Sequence, residues 1–217
     1  MDRARTGRRL VDIVLSAIGL LLLSPIILSA AIAVKITSRG PAFFPAMRAG
    51  LKGRPFRMMK LRTMRQDASS GPKVTATGDQ RITRVGRFLR ASKIDELPQL
   101  LNVLKGDMAI VGPRPEDPDI VRALYGPAEW ETLQVPPGLT SPGTIWYYNE
   151  GQDYLDKADV MRNYDVVMRR KLRQDAEYFK TATVVTDFKV ILATILVVLK
   201  RPFVRSEPSG DARRPGP

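Results

Sequence analysis

The 217-residue chain contains neither cysteine nor histidine. No thiol means no disulfide and no cysteine nucleophile; no imidazole means no serine–histidine relay and none of the usual zinc ligand sets. Any chemistry therefore falls to carboxylates, Lys, Arg, Tyr or hydroxyls, and any metal is a hard cation on oxygen ligands, Mg²⁺ foremost. Acids are scarce too, with none between Asp12 and Asp67. With 35 Lys and Arg against 22 Asp and Glu, the net charge of +13 calls for an anionic partner such as lipid headgroups, a nucleotide or nucleic acid. No Walker A loop, glycine-rich dinucleotide turn, internal repeat or nucleic-acid module occurs, so nucleic acid is not an expected partner.

Charge of either sign is missing from Ile13 to Val34, a run of 22 residues, long enough to cross a bilayer. A signal peptide is the first competing reading, but the run is long for one, and a basic, proline-bearing segment follows instead of a small-residue cleavage site. Arg3, Arg5, Arg8 and Arg9 precede the run, and Lys35, Arg39, Arg48, Lys52, Arg54 and Arg57 follow it. Basic flanks on both sides conflict with a single crossing, because the positive-inside bias holds both in the cytoplasm. A re-entrant helix broken at Ser24-Pro25 satisfies both flanks: Pro25 removes one backbone hydrogen bond and the Ser24 hydroxyl can cap the freed carbonyl. A kinked but spanning helix is the alternative. The expected organisation is a membrane segment over 1–36, a catalytic domain at the cytoplasmic face over 37–204, and a disordered tail over 205–217.

The chain is organised around Ser92–Pro115. Leu97, Leu100, Leu101 and Leu104 share one face of a helix, and Gly106 stands where a C-terminal cap belongs, which predicts a helix from Glu96 to Lys105 with Asp95 as N-cap. Pro98 fits its first turn, where a missing N–H costs nothing. Asp95-Glu96 reads either as a cap and a first-turn acid or as a reactive pair. The second reading gains from Val111-Gly112-Pro113-Arg114-Pro115, a stiff turn that would aim a guanidinium at an oxyanion. Asp-Glu-Leu-Pro-Gln-Leu (95–100), Asn-Val-Leu-Lys-Gly-Asp-Met (102–108) and Val-Gly-Pro-Arg-Pro (111–115) resemble the core signature of bacterial monotopic phosphoglycosyl transferases, the initiating sugar transferases of glycoconjugate assembly.

The resemblance extends over nearly the whole chain. Phe56–Met64 predicts a short strand with a basic face and resembles a family element; Lys60 and Arg62 on it are candidate phosphate contacts, or cations resting at headgroups. Asp67–Gly78 reads as a mobile loop over the site. Arg81, Arg84, Arg87 and Arg90 recur every three residues beside Val85, Phe88 and Leu89, an amphipathic helix with a cationic stripe. Arg84 and Arg90 are candidate contacts to a substrate diphosphate, and a solvated or lipid-facing stripe is the other reading. Asp117-Pro118-Asp119 matches the DxD metal pattern of many glycosyltransferases, but in a proline-broken turn. Pro136–Thr140 resembles a family motif from which Ser141–Tyr148 departs, leaving Trp146, Tyr147 and Tyr148 as a stacking platform or an interfacial belt. Asp156–Thr181 has helical spacing, and the ten apolar residues from Val190 to Leu199 suit a helix lying in the interface.

The expected fold is mainly α with a small β element (α+β): a re-entrant membrane helix and amphipathic interfacial helices around a compact catalytic core. The resemblance implies transfer of a phosphosugar from a UDP-sugar to polyprenyl (undecaprenyl) phosphate at the cytoplasmic face of the bacterial inner membrane, with release of UMP, by a ping-pong route. With no thiol or imidazole, Asp95 is the candidate nucleophile toward the β-phosphorus. Mg²⁺ is expected on Asp95 with Glu96 as second ligand, Glu96 otherwise orienting the metal or taking a proton, and Arg114 on the diphosphate. A non-catalytic basic membrane adaptor, binding anionic headgroups, is the competing class. The sugar, the pathway and the oligomeric state are not legible.

Overall fold

The computed structural model describes residues 3–65, 79–151 and 160–204. The loop expected over 67–78 and the tail over 205–217 lie outside the described residues, as does the start of the helix expected from Asp156.

Helix α1 spans Arg3–Thr37 and passes through Pro25. Pro25 has no N–H for the carbonyl of Leu21, and the Ser24 hydroxyl donates to that oxygen instead at 2.9 Å, as the Ser-Pro pair suggested. The helix is long and apolar enough to cross a membrane by length and composition, and most of its apolar stretch is not buried against the protein. Its two ends are held by the same folded unit. Near the start, Arg8 pairs with Asp187 at 2.8 Å, Arg9 donates to the carbonyls of Val103 and Leu104, and Asp12 accepts from the N–H of Ile110. Near the finish, Ala30, Ala31 and Val34 are buried against Leu61 and Leu89. Between them Leu21, Leu22, Ile26 and Leu28 are exposed.

Strands β1 (Phe43–Ala49) and β2 (Pro55–Leu61) form an antiparallel hairpin, Phe43 opposite Leu61 and Ala49 opposite Pro55. The connection uses left-handed backbone at Lys52 and Gly53. Helix α2 covers Arg84–Ala91, capped by the Thr83 hydroxyl, which accepts from Gly86 N. Arg81 falls outside the expected helix and is bound to Asp79.

The single helix expected over 96–105 is two pieces, a 3₁₀ segment Ile94–Gln99 and α3, Leu100–Lys105. Asp95 is not the N-cap. Lys93 occupies that position in the left-handed region (φ 61°) and Asp95 sits in the first turn. Pro98 cannot donate to Ile94 O, so the segment tightens to i→i+3 bonds, Glu96 N to Lys93 O and Leu100 N to Leu97 O. Gly106 ends α3 at φ 96°, as expected. The predicted leucine face is only half covered, since Leu100 is buried while Leu101 and Leu104 are exposed.

Strands β3 (Ala109–Val111) and β4 (Gly138–Thr140) pair in parallel, and the crossover carries α4 (Pro118–Leu124) and α5 (Pro127–Glu131). Asp117 caps α4 by accepting from Asp119 N, and Asp119 pairs with Arg122, so the DxD triplet is a helix start. Helix α6 (Pro142–Trp146) runs into a π-helical turn, Tyr147–Gly151; α7 (Val160–Thr181) and α8 (Val184–Val204) complete the fold. Met58, Val103, Met108, Ile110, Val111 and Val190 form one core cluster joining β2, α3, β3 and α8. On α8, Val185, Phe188, Leu192, Ile195 and Leu199 recur at helical spacing and stay exposed. The chain is thus mostly helical with a small β part.

Candidate active site

Asn102 and two glycines bring the separated pieces of the site into register. The Asn102 side chain accepts from Met59 N and donates to Arg57 O and Asp107, joining α3 to β2 at the residue next to Lys60. Gly112 N donates to Thr140 O and Gly138 N to Pro113 O, which seats the Val111–Pro115 turn against β4. A Cβ on Gly138 would lie 2.1 Å from Gly112 N, closer than any side chain tolerates. The backbones can approach this closely only because both residues are glycine.

Asp95 is 5% exposed, and its Oδ1 is buried without a hydrogen-bond partner. Beside it, Glu96 accepts from both terminal nitrogens of Arg114, Nη1 at 3.0 Å from Oε2 and Nη2 at 2.6 Å from Oε1. Lys93 and Lys60 approach the same Glu96 Oε1 at 3.5 and 3.9 Å. Burial, then the charge of Glu96, pushes the Asp95 carboxyl up to about 6, against the pull of Lys60, Lys93 and Arg90. Glu96 moves the other way: burial opposes its ionisation, but Arg114, Lys93 and Lys60 together hold it well below the usual range. Burial presses the Lys60 ammonium down to about 8, with Glu96 opposing. Burial works against the Lys93 charge as well, but Glu96 and Tyr148 carry it upward. Two neighbouring carboxylates therefore have different characters, one clamped by Arg114 and one with an oxygen that no protein group hydrogen-bonds.

The structure brings Lys60, Arg90 and Arg114 together with Asp95 and Glu96. Arg90 acts on Asp95 electrostatically while its Nε donates to Thr63 Oγ1 at 2.9 Å. Arg62 is elsewhere. It shares a strand face with Lys60 in the sequence pattern, but β2 ends at Leu61, and the buried Arg62 guanidinium turns back to cap the end of α1, donating to Ser38 O at 2.9 Å, to Ser38 Oγ and to Arg39 O. Arg84 lines a separate groove with Arg39 and Arg65. Lys93 was not singled out by the sequence, although it stands two residues before Asp95. A lysine gives no signal for the left-handed backbone, which costs on the order of 1 kcal/mol or more.

The departing segment Ser141–Tyr148 reaches the site through one cation–π pair and packs on α7 through two more. Lys93 Nζ lies 4.6 Å from the Tyr148 ring centroid, Lys171 Nζ 5.5 Å from Tyr147, and the Arg170 guanidinium 4.5 Å from Trp146. Asp175 anchors this segment. Fully buried, it accepts from Gly143 N at 2.8 Å and the Ser141 hydroxyl at 3.0 Å. Burial pushes its carboxyl from 3.8 to about 6, although those two bonds and Lys171 favour the charge. A group whose folded value is raised stabilises the fold below its unfolded value and loses that contribution as pH rises through the folded one. At about 1.4 kcal/mol per pH unit, with the titration incomplete at both limits, wild type should lose roughly 2 kcal/mol relative to Asp175→Asn between pH 4 and 6. Denaturant melts of the two proteins across that range measure it; parallel pH profiles would contradict it.

Among the described residues no group of three or more His, Cys, Asp or Glu side chains could enclose a metal. A cation that takes one or two carboxylates and completes its shell with water and phosphate, as Mg²⁺ does, fits the partnerless Asp95 oxygen. Glu96 fits less well, since both its oxygens are engaged by Arg114.

The family model described as bacterial sugar transferase matches residues 3–201. A UDP-glucose:undecaprenyl-phosphate glucose-1-phosphate transferase of Caulobacter vibrioides is 41% identical over 194 residues, 87% of this chain and 68% of that protein. The Escherichia coli protein of the same name is 36% identical over 200 residues, covering 88% of this chain and 40% of its own. A UDP-N-acetylgalactosamine-undecaprenyl-phosphate N-acetylgalactosaminephosphotransferase of Aeromonas hydrophila is 34% identical over 193 residues, covering 88% and 43%. The chain thus spans about two thirds of the first relative and less than half of the other two. It belongs to the bacterial sugar transferase family.

Proposed function

We propose that the protein transfers a sugar phosphate from a UDP-sugar to undecaprenyl phosphate, releasing UMP, through a covalent intermediate on Asp95. One observation carries the reading: a buried carboxylate with a partnerless oxygen, ringed by Lys60, Lys93, Arg90 and the Glu96–Arg114 clamp. Asp95 attacks the β-phosphorus of the donor, forming a carboxyl–phosphorus bond as the bond to the bridging oxygen breaks and its electron pair leaves with UMP. An acceptor phosphate oxygen then attacks the same phosphorus. The acyl-phosphate bond breaks, the carboxylate is regenerated and the lipid diphosphate sugar departs. Water-soluble donor and membrane-bound acceptor need not share the site, which suits two successive steps.

Lys60, Lys93 and Arg90 lower the repulsion between an anionic nucleophile and an anionic diphosphate. Glu96, held ionised well below the usual range, is a weak base; it orients Arg114 toward the diphosphate rather than taking a proton. Mg²⁺ would be held by Asp95, and when bound it neutralises diphosphate charge. UMP release from a panel of UDP-sugars, with undecaprenyl phosphate and Mg²⁺, tests the reaction. Release that requires a donor and stops with EDTA supports it, whereas no release with any donor leaves the membrane adaptor.

The same proposal sets α1 as a re-entrant helix at the cytoplasmic face, with α8 lying in the interface. Support comes from the anchoring of both α1 ends by one folded unit while Leu21–Leu28 projects, and from the exposed apolar stripe of α8. Single thiols at Thr6→Cys and Lys52→Cys, in a chain without native cysteine, should both label from the cytoplasmic side. Labelling of Thr6→Cys only from the opposite side would refute it.

A further inference from the structure

A groove of about 620 Å³ opens where α1 ends and α2 begins, outside the Asp95 cluster. Three guanidinium-bearing residues line it, Arg39, Arg65 and Arg84, and all three are exposed. Among the described residues no carboxylate lines it. Among the described residues the acid nearest in sequence, Asp79, is occupied by Arg81 through contacts of 2.6–3.1 Å. Three cations from separate stretches of chain line one groove with no acid among its described lining residues, at an electrostatic cost that an anion would relieve.

The groove wall also lacks a feature that would repel an anion. Carbonyls at the end of a helix carry its negative pole, and here Ser38 O and Arg39 O are bound by the buried Arg62 guanidinium. The Thr37, Ser38 and Thr83 hydroxyls donate to Ala33 O, Val34 O and Thr63 O, so recognition falls to the guanidiniums. Their planar forks match phosphate oxygens two at a time.

The place selects the kind of phosphate. The groove lies at the last turn of the apolar helix, next to Ile32 and Ile36, which are 50% and 79% exposed. With α1 seated in the membrane as proposed above, a phosphate at that level is one carried by a lipid. Three guanidiniums match a doubly charged monoester better than the singly charged diester of an ordinary phospholipid. Arg84 and Arg90 are six residues apart on α2, about 9 Å along its axis, so the groove adjoins the Asp95 cluster through one helix. We propose that this groove docks a lipid phosphomonoester. On the transferase reading, the occupant is the undecaprenyl phosphate acceptor before it reaches Asp95.

The test uses a single thiol, Thr37→Cys, in the full chain in phosphatidylcholine nanodiscs, with Lys52→Cys as a remote control. Labelling by a water-soluble maleimide is timed with undecaprenyl phosphate, phosphatidic acid, phosphatidylglycerol or inorganic phosphate added. Both monoester lipids should slow labelling of Thr37→Cys about tenfold near ten times their dissociation constants, by mass action. The protection should disappear with Arg39→Gln and Arg84→Gln added, and Lys52→Cys should not respond. Equal slowing by phosphatidylglycerol would overturn the proposal in favour of a non-selective cationic surface, and equal slowing by inorganic phosphate would remove the lipid. Absent protection, or protection surviving the arginine substitutions, would end it. Labelling needs no turnover: protection without UMP release refutes the transferase reading alone, and turnover without protection refutes the groove alone.

Discussion

Asp95→Asn should abolish UMP release, a loss on the order of 10⁶-fold by analogy with other nucleophile deletions, and should at the same time raise the melting temperature of the ligand-free protein. Both effects have one cause. The carboxylate is 5% exposed, next to a second carboxylate, and has an oxygen that no protein group satisfies. Burial and Glu96 both disfavour its charge, as its elevated pKa near 6 records. An amide of the same shape removes that unfavourable charge and leaves the packing intact, so stability should rise. It also removes the proposed nucleophile and the proposed metal ligand, so turnover should vanish. A UMP assay and a thermal melt on one preparation read both quantities. Mass spectrometry of wild type incubated with donor alone should find a phosphosugar on the Asp95 peptide. Wild-type turnover in Asp95→Asn, or an inactive variant that melts at a lower temperature, would contradict this account.

Local chemistry made much of the site legible. The Asp95-Glu96 pair, the Gly106 cap and the Arg114 turn lie within some twenty residues, and each announces itself by residue type. Legibility ended where a side chain's destination depends on distant backbone. Lys60 and Arg62 stand two apart, the spacing of one strand face, but the strand stops between them and Arg62 serves the end of α1. Lys93 adopts a conformation that only its surroundings enforce. Asp117-Pro118-Asp119 matches a metal pattern and is a helix cap, because Pro118 at the first helical position makes the preceding Asp an ideal N-cap. Strand β1 carries Pro45 in mid-run, tolerable in a two-stranded hairpin with a free edge. The β3–β4 pair is three residues long on each side and rests on contact between two glycines 26 positions apart, Gly112 and Gly138, which no local periodicity encodes.

Arg114→Lys should lower kcat/KM for the donor by about 10²-fold, comparable to removing one charge-stabilising donor, with expression and membrane insertion unchanged. Lysine keeps the charge, so a point-charge role for Arg114 would predict a small effect. The geometry argues otherwise: two parallel bonds of 3.0 and 2.6 Å to the two oxygens of Glu96 require a fork, and an ammonium can reproduce only one. Flanking prolines restrict the turn, so a shorter reach is not recovered by backbone adjustment. Glu96→Gln should be similarly impaired, for a linked reason. Its charge orients Arg114 and also holds Lys60 protonated against burial, and the Lys60 value of about 8 would fall further without it. Since arginine and glutamate act through each other, the double variant should be little worse than either single one, a coupling of about 1–3 kcal/mol in a double-mutant cycle. Losses that multiply would mean that the two residues contact the donor independently. A full cycle of kcat/KM values for wild type, both single variants and the double decides between a clamp that works as one device and two separate contacts.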